Sequence, residues 1–422
     1  MHFILISINR ITYSKSFRFC SKMNGETEEN FAIGWNRLHL RVIGAWPDPN
    51  NKDERISKFV SLLIAINMLL FISIPQTVNL FVVWPDLELI TENLSTANLT
   101  ITITVIKLYA VCSKKEVLKP IIASISKDWS RKKNDMHMKI MRINAELSRK
   151  IFVYCLFGTS ATVVSFFVQQ TYLNIRGFYE VRRWFYQSFF PYGTSESPAY
   201  ELTCFFQFTG GTFAGLVYSG VVSFFGMLIL HLRGQFSILQ LDIKSIINSH
   251  GGTDSNEFKL KLKFIVEQHE NLNSFASTIE ETFNGVFLLE MITVSIQLCL
   301  QGYIVLATVN AREGVSTLQL LFLTIYVIAV LANLYVICYM GEKLEIACSE
   351  LGFSVYDSEW YNLTAEEARN IIMLLQRTRK PLQITAGKFC AFSLQTFAQV
   401  IKKSVSYLSV LLTVNQKIQV HE

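Results

Sequence analysis

The stretch TCFFQFTGGTFAGLVYSGVVSFFGMLILHL, residues 203–232, contains no Lys, Arg, Asp or Glu. A helix needs about 20 mostly apolar residues to cross the hydrocarbon core of a bilayer. This stretch is longer than that, and it is too apolar to face water. It therefore predicts a membrane-spanning helix, and it sets the fold class expected for the whole chain.

Six further stretches have a similar length and apolar character, although the first is interrupted by Pro75 and the second is rich in Thr and Asn. With residues 203–231 as the fourth, the predicted spans are about 58–83, 88–112, 149–171, 284–308, 316–341 and 386–414. The sequence thus predicts an all-α membrane protein with seven transmembrane helices.

The composition agrees with a membrane protein and argues against an enzyme. Half of the 422 residues are hydrophobic and 17% are charged, whereas soluble domains carry about 25% charged residues. The eight Cys lie mostly in apolar runs without short spacings, so neither a disulfide framework nor a zinc site is indicated. No Gly-x-Ser-x-Gly, His-Glu-x-x-His or phosphate-binding loop occurs. We therefore expect no enzyme activity, no cofactor and no bound metal.

The distribution of Lys and Arg predicts the orientation in the membrane. Of the 39 basic residues, 29 lie before the first span or in the connections two–three, four–five and six–seven, and five lie on the opposite side. Basic residues accumulate on the cytoplasmic side of membrane proteins. The N-terminus is therefore expected in the cytoplasm and, after seven spans, the C-terminus outside. The net charge of +6 could suggest a nucleic-acid partner, but the positive charge is distributed according to this topology, so no such partner is expected.

This orientation is opposite to that of G-protein-coupled receptors, and two other features disagree with that class. The third span ends in Gln169-Gln170-Thr171 instead of an Asp/Glu-Arg-Tyr motif. Spans five to seven contain no proline, which excludes an Asn-Pro-x-x-Tyr ending.

The cytoplasmic connections are predicted to be helical. Spaced apolar residues over 113–150 indicate a helix that continues below the membrane, and the same pattern recurs over 258–283. A third helix begins with a capping box of Thr364 and Glu367 and should end at Pro381. We divide the chain into a cytoplasmic N-terminal segment (1–56), six spans with cytoplasmic helix extensions (57–341), a cytoplasmic loop and helix (342–384), a seventh span (385–415) and an extracellular tail (416–422). The cytoplasmic helices pack on each other or on another subunit.

Charged residues inside predicted spans are candidates for function. Lys107 is expected to reach the cytoplasmic headgroups with its long side chain, and Glu290 to form a structural hydrogen bond with a neighbouring helix. The adjacent Lys402 and Lys403 fall in the middle of span seven. They fit beside a water-filled path or between subunits better than in lipid.

Three peripheral features also carry expectations. Residues 1–22 are interpreted as an extension from an upstream start codon, because they do not form a convincing signal peptide. The glycosylation acceptors Asn93 and Asn98 are expected to lie too close to the membrane to be used, and Asn362 to lie in the cytoplasm. The aromatic outer loop 172–202 either covers a pocket or packs on the helix ends.

The C-terminal part of the chain resembles the insect odorant receptors. The stretches that carry this resemblance are YDSEWY (356–361), RKPL (379–382), TAGKF (385–389) and KSVSY (403–407). Weaker support comes from WNR (35–37), GAWP (44–47), and His269 with IEETF (279–283). The opening is similar to ant and bee receptors, and the resemblance extends over about residues 31–415.

The resemblance implies a tuning subunit of a ligand-gated, nonselective cation channel that forms a hetero-tetramer with the odorant receptor co-receptor. In that family the cytoplasmic layer joins the subunits and the last helix lines the pore. Position by position, it implies that Val410 is the hydrophobic gate and that Thr413 and Val414 line the narrow path. The co-receptor carries Gln where Thr413 stands, so the polarity of the pore is in question. Ordinary helix packing is the alternative for Val410.

The resemblance also places an odorant pocket among the outer halves of spans two to six. Volatile odorants are small and mostly apolar, so an aromatic site with few polar groups is expected. The candidates, each also compatible with plain helix packing, are Phe166, Gln169, Phe206, Phe213, Tyr303, Phe322 and Tyr326. The implied location is the plasma membrane of olfactory sensory neuron dendrites, in contact with membrane lipid.

Three other identities stay open at this point. A gustatory receptor would share the fold but form a channel without the co-receptor, and the sequence ending argues against it. The co-receptor itself has a longer loop between spans four and five than the roughly 50 residues found in this chain. A transporter would show internal repeats or paired broken helices, and neither is visible.

Overall fold

The computed structural model describes residues 27–50, 54–131, 133–175, 184–193, 196–248, 255–310, 317–379 and 382–421. Within these ranges, the side chains of residues 88, 308–310 and 414–421 are outside the description. The proposed upstream extension (1–22), Lys380 and Pro381 also lie outside the described residues.

The chain is almost entirely helical. Helix α1 is Glu28–Val42, α2 is Glu54–Val82, and α3 comprises Leu87–Asn93, Leu94–Asn98 and Leu99–Ser113. They are followed by α4 (Lys115–Ser130), α5 (Asp135–Ile175), α6 (Ala199–Asn248), α7 (Ser255–Asn310), α8 (Thr317–Tyr356), a 3₁₀ turn (Trp360–Asn362), α9 (Ala365–Thr378), strands β1 (Thr385–Ala386) and β2 (Cys390–Ala391), and α10 (Leu394–His421).

Helix α6, which contains the stretch quoted first, is the centre of the molecule. It contacts α1, α2, α3, α5, α7 and α8, with the most extensive contact against α5. In its most apolar window 83% of the residues are buried, compared with 28% for α2 and for α5. The difference explains why α6 is apolar on every face, because the other helices enclose it.

Six described helices are long and apolar enough to cross a membrane, namely α2, α3, α5, α6, α7 and α8. They match the first six predicted spans. The seventh predicted segment is also a helix, α10, but it is not among these six. Its Lys402, Lys403 and several Ser residues make it more polar.

Four helices are much longer than a membrane is thick. Helices α5, α6, α7 and α8 have 41, 50, 56 and 40 residues, which at about 1.5 Å per residue is roughly 60–84 Å. The predicted helix within 258–283 is confirmed as part of α7. The stretch 113–150 is not one continuing helix: it contains the end of α3, the separate α4 and the beginning of α5.

Pro75 does not break α2, contrary to what an interruption suggests. A π-helical turn, Leu69–Ser73, precedes it and the helix continues from Ile74. Proline has no N–H to bond the carbonyl four residues earlier, here that of Phe71. The side chain of Gln207 on α6 donates to this carbonyl instead (3.4 Å).

The seventh helix begins at Leu394, eight residues later than the predicted boundary at 386. Residues 385–391 form a β-hairpin with Thr385 paired to Ala391. Gly387 and Lys388 have φ values of +58° and +65° at its turn. These left-handed conformations are incompatible with an α-helix, although the local residues are apolar enough to resemble one.

The capping box is confirmed. The Thr364 side chain accepts from the Glu367 amide, and the Glu367 carboxylate accepts from the Thr364 amide (3.2 Å). The pair fixes the first turn of α9, which packs on α8.

The N-terminal segment is not detached from the helical bundle. Helix α1 packs against α4, α5 and α6. Arg149 of α5 lies over the rings of Phe31 (4.0 Å) and Trp35 (4.6 Å), and His39 hydrogen bonds the Leu216 carbonyl of α6 (2.7 Å). This contact could not be predicted from the sequence, because α1 is short and only moderately apolar.

A hydrogen bond joins α4 to α6 at the end of the fourth predicted span, 203–231. His231 Nε2 lies 3.1 Å from Asp128 Oδ2. Burial opposes ionisation of Asp128, but the hydrogen bond and charge of His231, together with Lys133 and Arg131, hold the pKa of this carboxyl below its usual value. Asp128 therefore stays charged and keeps α4 attached to α6.

Candidate ligand-binding site

An aromatic cluster lies between α5, α8 and the outer segment, which we define as residues 184–193. The Phe166 ring of α5 stacks on Tyr186 of the outer segment, with centroids 4.8 Å apart and planes 16° apart. Phe166 also contacts Phe322 of α8 (5.4 Å), and Phe322 contacts Tyr326 (5.9 Å). Three of the predicted pocket residues thus meet around a side chain from the outer loop.

The outer segment is attached to the helices through Gln207, which is completely buried on α6. The Gln207 oxygen accepts from the Tyr186 amide (3.1 Å), and its nitrogen lies within hydrogen-bond distance of the Tyr186 carbonyl and the Ser188 hydroxyl. The Phe189 amide also donates to the Pro75 carbonyl of α2 (3.0 Å). These hydrogen bonds therefore hold the outer segment against the helix ends.

Helix α3 holds the other side of the outer segment. Asn93 donates to the carbonyls of Gln76 (3.2 Å) and Gln187 (3.4 Å), and Glu92 accepts from the Gln187 side chain (2.9 Å). Asn98 donates to Asn93 (3.5 Å). Both glycosylation acceptors are buried and hydrogen bonded in this structure; their distance from the membrane stays a prediction.

A cavity of about 20 Å³ lies between α2, α3, α5 and the outer segment. That volume holds about one water molecule. The cavity is lined by four aromatic side chains, Phe166, Trp184, Phe185 and Tyr186, and by polar ones, Gln76, Glu92, Asn93, Thr96, Gln170 and Gln187.

The remaining predicted pocket residues lie at different places. Phe206 stacks on Phe71 of α2 (centroids 4.4 Å apart), and Phe213 packs half-buried against the core. Tyr303 is buried on α7, and Gln169 is buried on α5. The seven residues therefore do not form one continuous surface in this structure.

Tyr326 also belongs to a polar connection between three helices. Its hydroxyl lies 2.8 Å from Thr100 Oγ1 of α3, which accepts from Gln297 of α7 (2.7 Å). The connection joins the floor of the aromatic cluster to α7, the helix on which α10 packs.

A second polar cluster is formed by Lys107 of α3, Glu290 of α7 and Tyr218 of α6. The Lys107 ammonium is 2.7 Å from Glu290 Oε1, which also accepts from the Tyr218 hydroxyl (2.8 Å). The ammonium lies 3.5 Å from the centre of the Tyr218 ring. The side chains of Lys107 and Glu290 are 0% and 2% exposed.

The prediction that Lys107 reaches the headgroups is wrong. The nearby carboxylate and the Tyr218 ring compensate the ammonium inside the protein, so the side chain has no need to reach water. The prediction of a hydrogen bond from Glu290 to a neighbouring helix is confirmed, with partners on both α3 and α6. The cluster fixes the relative position of three spans below the ligand-binding region.

The predicted pore residues lie on α10, which packs on α7 and α8 with one face. On its other face Val405, Tyr407 and Val410 are 62%, 55% and 61% exposed, and Lys402, Lys403 and Thr413 are exposed as well. The side chain of Val414 lies outside the described residues. Within the single chain the gate candidates therefore face away from the other helices.

The sequence of residues 86–405 matches the family model described as 7tm odorant receptor. The match covers most of the chain, including α3 to α9 and the first half of α10. The chain belongs to the 7tm odorant receptor family. Odorant receptors of this family are multi-span membrane proteins with receptor functions, not enzymes, which agrees with the missing catalytic motifs.

Individual odorant receptors are similar over part of the chain. Odorant receptor 13a of Drosophila melanogaster is 27% identical over 242 residues, which cover 54% of this chain and 57% of that protein. The odorant receptor coreceptor of Aedes aegypti is 29% identical over 170 residues, covering 39% of this chain and 34% of that protein. The chain thus spans about a third to three fifths of these relatives' length.

A solved odorant receptor structure shows the same fold. The insect olfactory receptor OR5 from Machilis hrabei, in complex with eugenol, superposes with a TM-score of 0.78 at 14% identity, covering 90% of this chain and 97% of that one. At this identity the likeness establishes the fold as that of an insect olfactory receptor.

The sequence-based candidates did not include several residues of the site, among them Tyr218, Gln207 and Tyr186. Tyr218 and Gln207 lie in the uniformly apolar fourth span, where nothing distinguishes a polar partner from its neighbours. Tyr186 lies in the outer loop, outside the predicted spans. The aromatic composition of that loop was the available signal, but it did not decide between a cover and surface packing.

Proposed function

We propose that this chain is the odour-binding subunit of a ligand-gated, nonselective cation channel that it forms with the odorant receptor co-receptor. Its N-terminus lies in the cytoplasm and its C-terminus outside. It works in the plasma membrane of olfactory neuron dendrites, where small volatile molecules reach the aromatic cluster of Phe166, Tyr186, Phe322 and Tyr326.

The observation that carries this proposal is the enclosed aromatic cluster under a fixed outer segment in a chain of the odorant receptor family. Small apolar ligands bind in concave, largely aromatic sites with a few polar groups. The cluster, and the cavity beside it, have this composition. The similarly folded OR5 is described in complex with eugenol, a small aromatic molecule.

The exposed face of α10 supports a pore shared with other subunits. Two adjacent lysines on an otherwise apolar helix face are costly in lipid. A water-filled path between subunits accommodates both the lysines and the apolar side chains. In this proposal Val410 forms the hydrophobic gate, and Thr413 and Val414 line the narrow path. The similarity to the coreceptor of Aedes aegypti makes the co-receptor the partner of choice.

The test is electrical recording from oocytes that express the chain with and without the co-receptor, exposed to a broad odorant panel. The proposal predicts odour-evoked, nonselective cation currents only when both proteins are present. Current from the chain alone would indicate a self-sufficient channel of the gustatory kind and would contradict the proposal. Ligand-dependent uptake of a substrate without such a conductance would indicate a transporter.

A further inference from the structure

The outer cavity contains polar atoms that nothing in the described structure satisfies. Gln76 is 1% exposed, yet its Oε1 has no hydrogen-bond partner among the described residues. The indole Nε1 of Trp184 is buried and, within the same described ranges, also lacks a partner. Both residues line the cavity of about 20 Å³. Buried polar atoms normally have partners, so a pair of orphans beside one cavity indicates a missing hydrogen-bonding group.

The two orphan atoms have opposite hydrogen-bonding roles. An indole N–H only donates, and an amide oxygen only accepts. A hydroxyl group satisfies both, because it accepts from Trp184 and donates to Gln76. A carbonyl or ether oxygen satisfies only Trp184, and a hydrocarbon satisfies neither.

The rest of the lining selects the body of the molecule. Phe166 and Tyr186 present stacked rings to the cavity, and Phe185 lies beside them. Aromatic side chains favour offset or edge contacts with another ring. A small aromatic ring therefore fits this wall better than a long aliphatic chain.

We infer that the site takes small aromatic alcohols and phenols, and that Gln76 and Trp184 are the residues that select the hydroxyl. This inference rests on the proposed odour-binding function and names its ligand class. The hydroxyl takes the water-sized space that both residues line. The ring takes a place beside Phe166 as residues 184–187 move outward, since the closed cavity holds no more than a water.

The test uses purified full-length protein in detergent, so that it does not depend on a channel. The probes are 4-methylphenol and p-xylene, which differ by a hydroxyl in place of a methyl group, and 4-methylanisole, whose ether oxygen only accepts. Affinities are obtained from the ligand-dependent rise of the unfolding temperature. Uptake of each of the three probes by the detergent is measured by dialysis against empty micelles, so that the affinities refer to the free probe.

The wild-type protein should bind 4-methylphenol about 25-fold tighter than p-xylene, with 4-methylanisole between them, because each of the two hydrogen bonds to the hydroxyl contributes roughly fivefold. Trp184→Phe and Gln76→Leu should each reduce the phenol preference roughly fivefold. Trp129→Phe and Gln235→Leu are the controls. They change a Trp and a Gln elsewhere in the described chain whose buried side-chain nitrogens also lack a partner, and they should leave the phenol preference unchanged.

Equal binding of the three probes to the wild type would overturn the inference, and so would a phenol preference that survives both site variants. Variants that do not fold are recognised by their own unfolding temperatures. In that case Gln76→Asn, which keeps the amide but shortens it, should give the same loss of preference. A phenol preference without odour-evoked current in cells would refute the proposed channel and leave the ligand class standing.

Discussion

At the scale of single residues, buried polar side chains define where the spans meet. Lys107 and Glu290 are each costly in an apolar interior, and together with Tyr218 they compensate each other across three helices. Gln207 does the same for backbone groups, since it satisfies the carbonyl that Pro75 leaves free and the backbone of Tyr186. Each of these contacts links a sequence irregularity to a fixed position in the fold.

Removing one partner of the Lys107–Glu290 pair should be worse than removing both. Lys107→Met leaves a buried carboxylate unpaired, and Glu290→Leu leaves a buried ammonium, so each should cost about 3 kcal/mol or more. The double variant should recover part of that loss, because no unpaired charge remains. Heating in detergent followed by size-exclusion chromatography measures all four proteins. Additive losses in the double variant would show that the pair is not coupled.

Gln207→Leu should loosen the outer segment without unfolding the bundle. The Tyr186 amide loses its acceptor, so its hydrogen exchange should accelerate roughly fivefold, the equivalent of one lost hydrogen bond of about 1 kcal/mol. Exchange followed by mass spectrometry of peptides covering residues 184–190 provides the measurement. Gln297→Leu removes a comparable side chain that donates to Thr100; it should leave these peptides unchanged. Equal acceleration in both variants would contradict a specific role for Gln207.

At the scale of elements, the sequence predicted the helices well and their ends less well. The six long apolar helices and the capping box of Thr364 were visible because periodicity and cap chemistry are local. The hairpin at 385–391 was not, because its apolar residues resemble a helix and only the positive φ values of Gly387 and Lys388 distinguish it. Tertiary contacts set those angles: the Gly387 amide donates to the Asn284 carbonyl (3.0 Å).

The contact between α8 and the end of the hairpin depends on a glycine. A Cβ at Gly341 would lie 2.6 Å from the Phe392 carbonyl oxygen and 2.7 Å from the Phe392 Cβ. Gly341→Ala should therefore push the chain before α10 away from α8 and lower the unfolding temperature by several degrees, which corresponds to about 1–3 kcal/mol of overpacking.

Gly285→Ala on α7 is the matched control, because nothing lies within 4 Å of its added methyl group. It should keep or raise the unfolding temperature, since alanine favours a helix by about 1 kcal/mol over glycine. A Gly341→Ala protein as stable as the wild type would show that α8 and the hairpin can separate without cost.

At the scale of the whole molecule, the pocket was harder to predict than the fold. Hydrophobic runs can be recognised from neighbouring residues along the chain, and they predicted the long apolar helices. A pocket is formed by side chains that are distant in the sequence, and their meeting depends on the tertiary fold. Of the candidates, only Phe166, Phe322 and Tyr326 lie together. Tyr186, which stacks on Phe166, comes from a loop, and the conformation of a loop cannot be predicted from hydrophobic periodicity.

The asymmetry of Lys and Arg predicts the orientation of the whole chain. An epitope tag at the N-terminus should be detected only after cells are permeabilised, and a tag after residue 422 should be detected on intact cells. The physical reason is the retention of basic segments on the cytoplasmic side. Two tags on the same side of the membrane would contradict a seven-span chain, and the reverse labelling would contradict the orientation.

The central claim is that the aromatic cluster around Phe166 receives the odorant. The most direct measurement compares dose–response curves for the strongest agonist in cells that co-express the co-receptor, with surface amounts matched by biotinylation. Phe166→Leu should raise the half-maximal concentration about tenfold, the equivalent of losing roughly 1.4 kcal/mol of ring contact. Phe225→Leu alters another buried ring, which packs on Phe283 and Phe287. It should change the half-maximal concentration by less than about threefold, which corresponds to about 0.6 kcal/mol. An unchanged response in Phe166→Leu, or equal shifts in both variants, would contradict the claim.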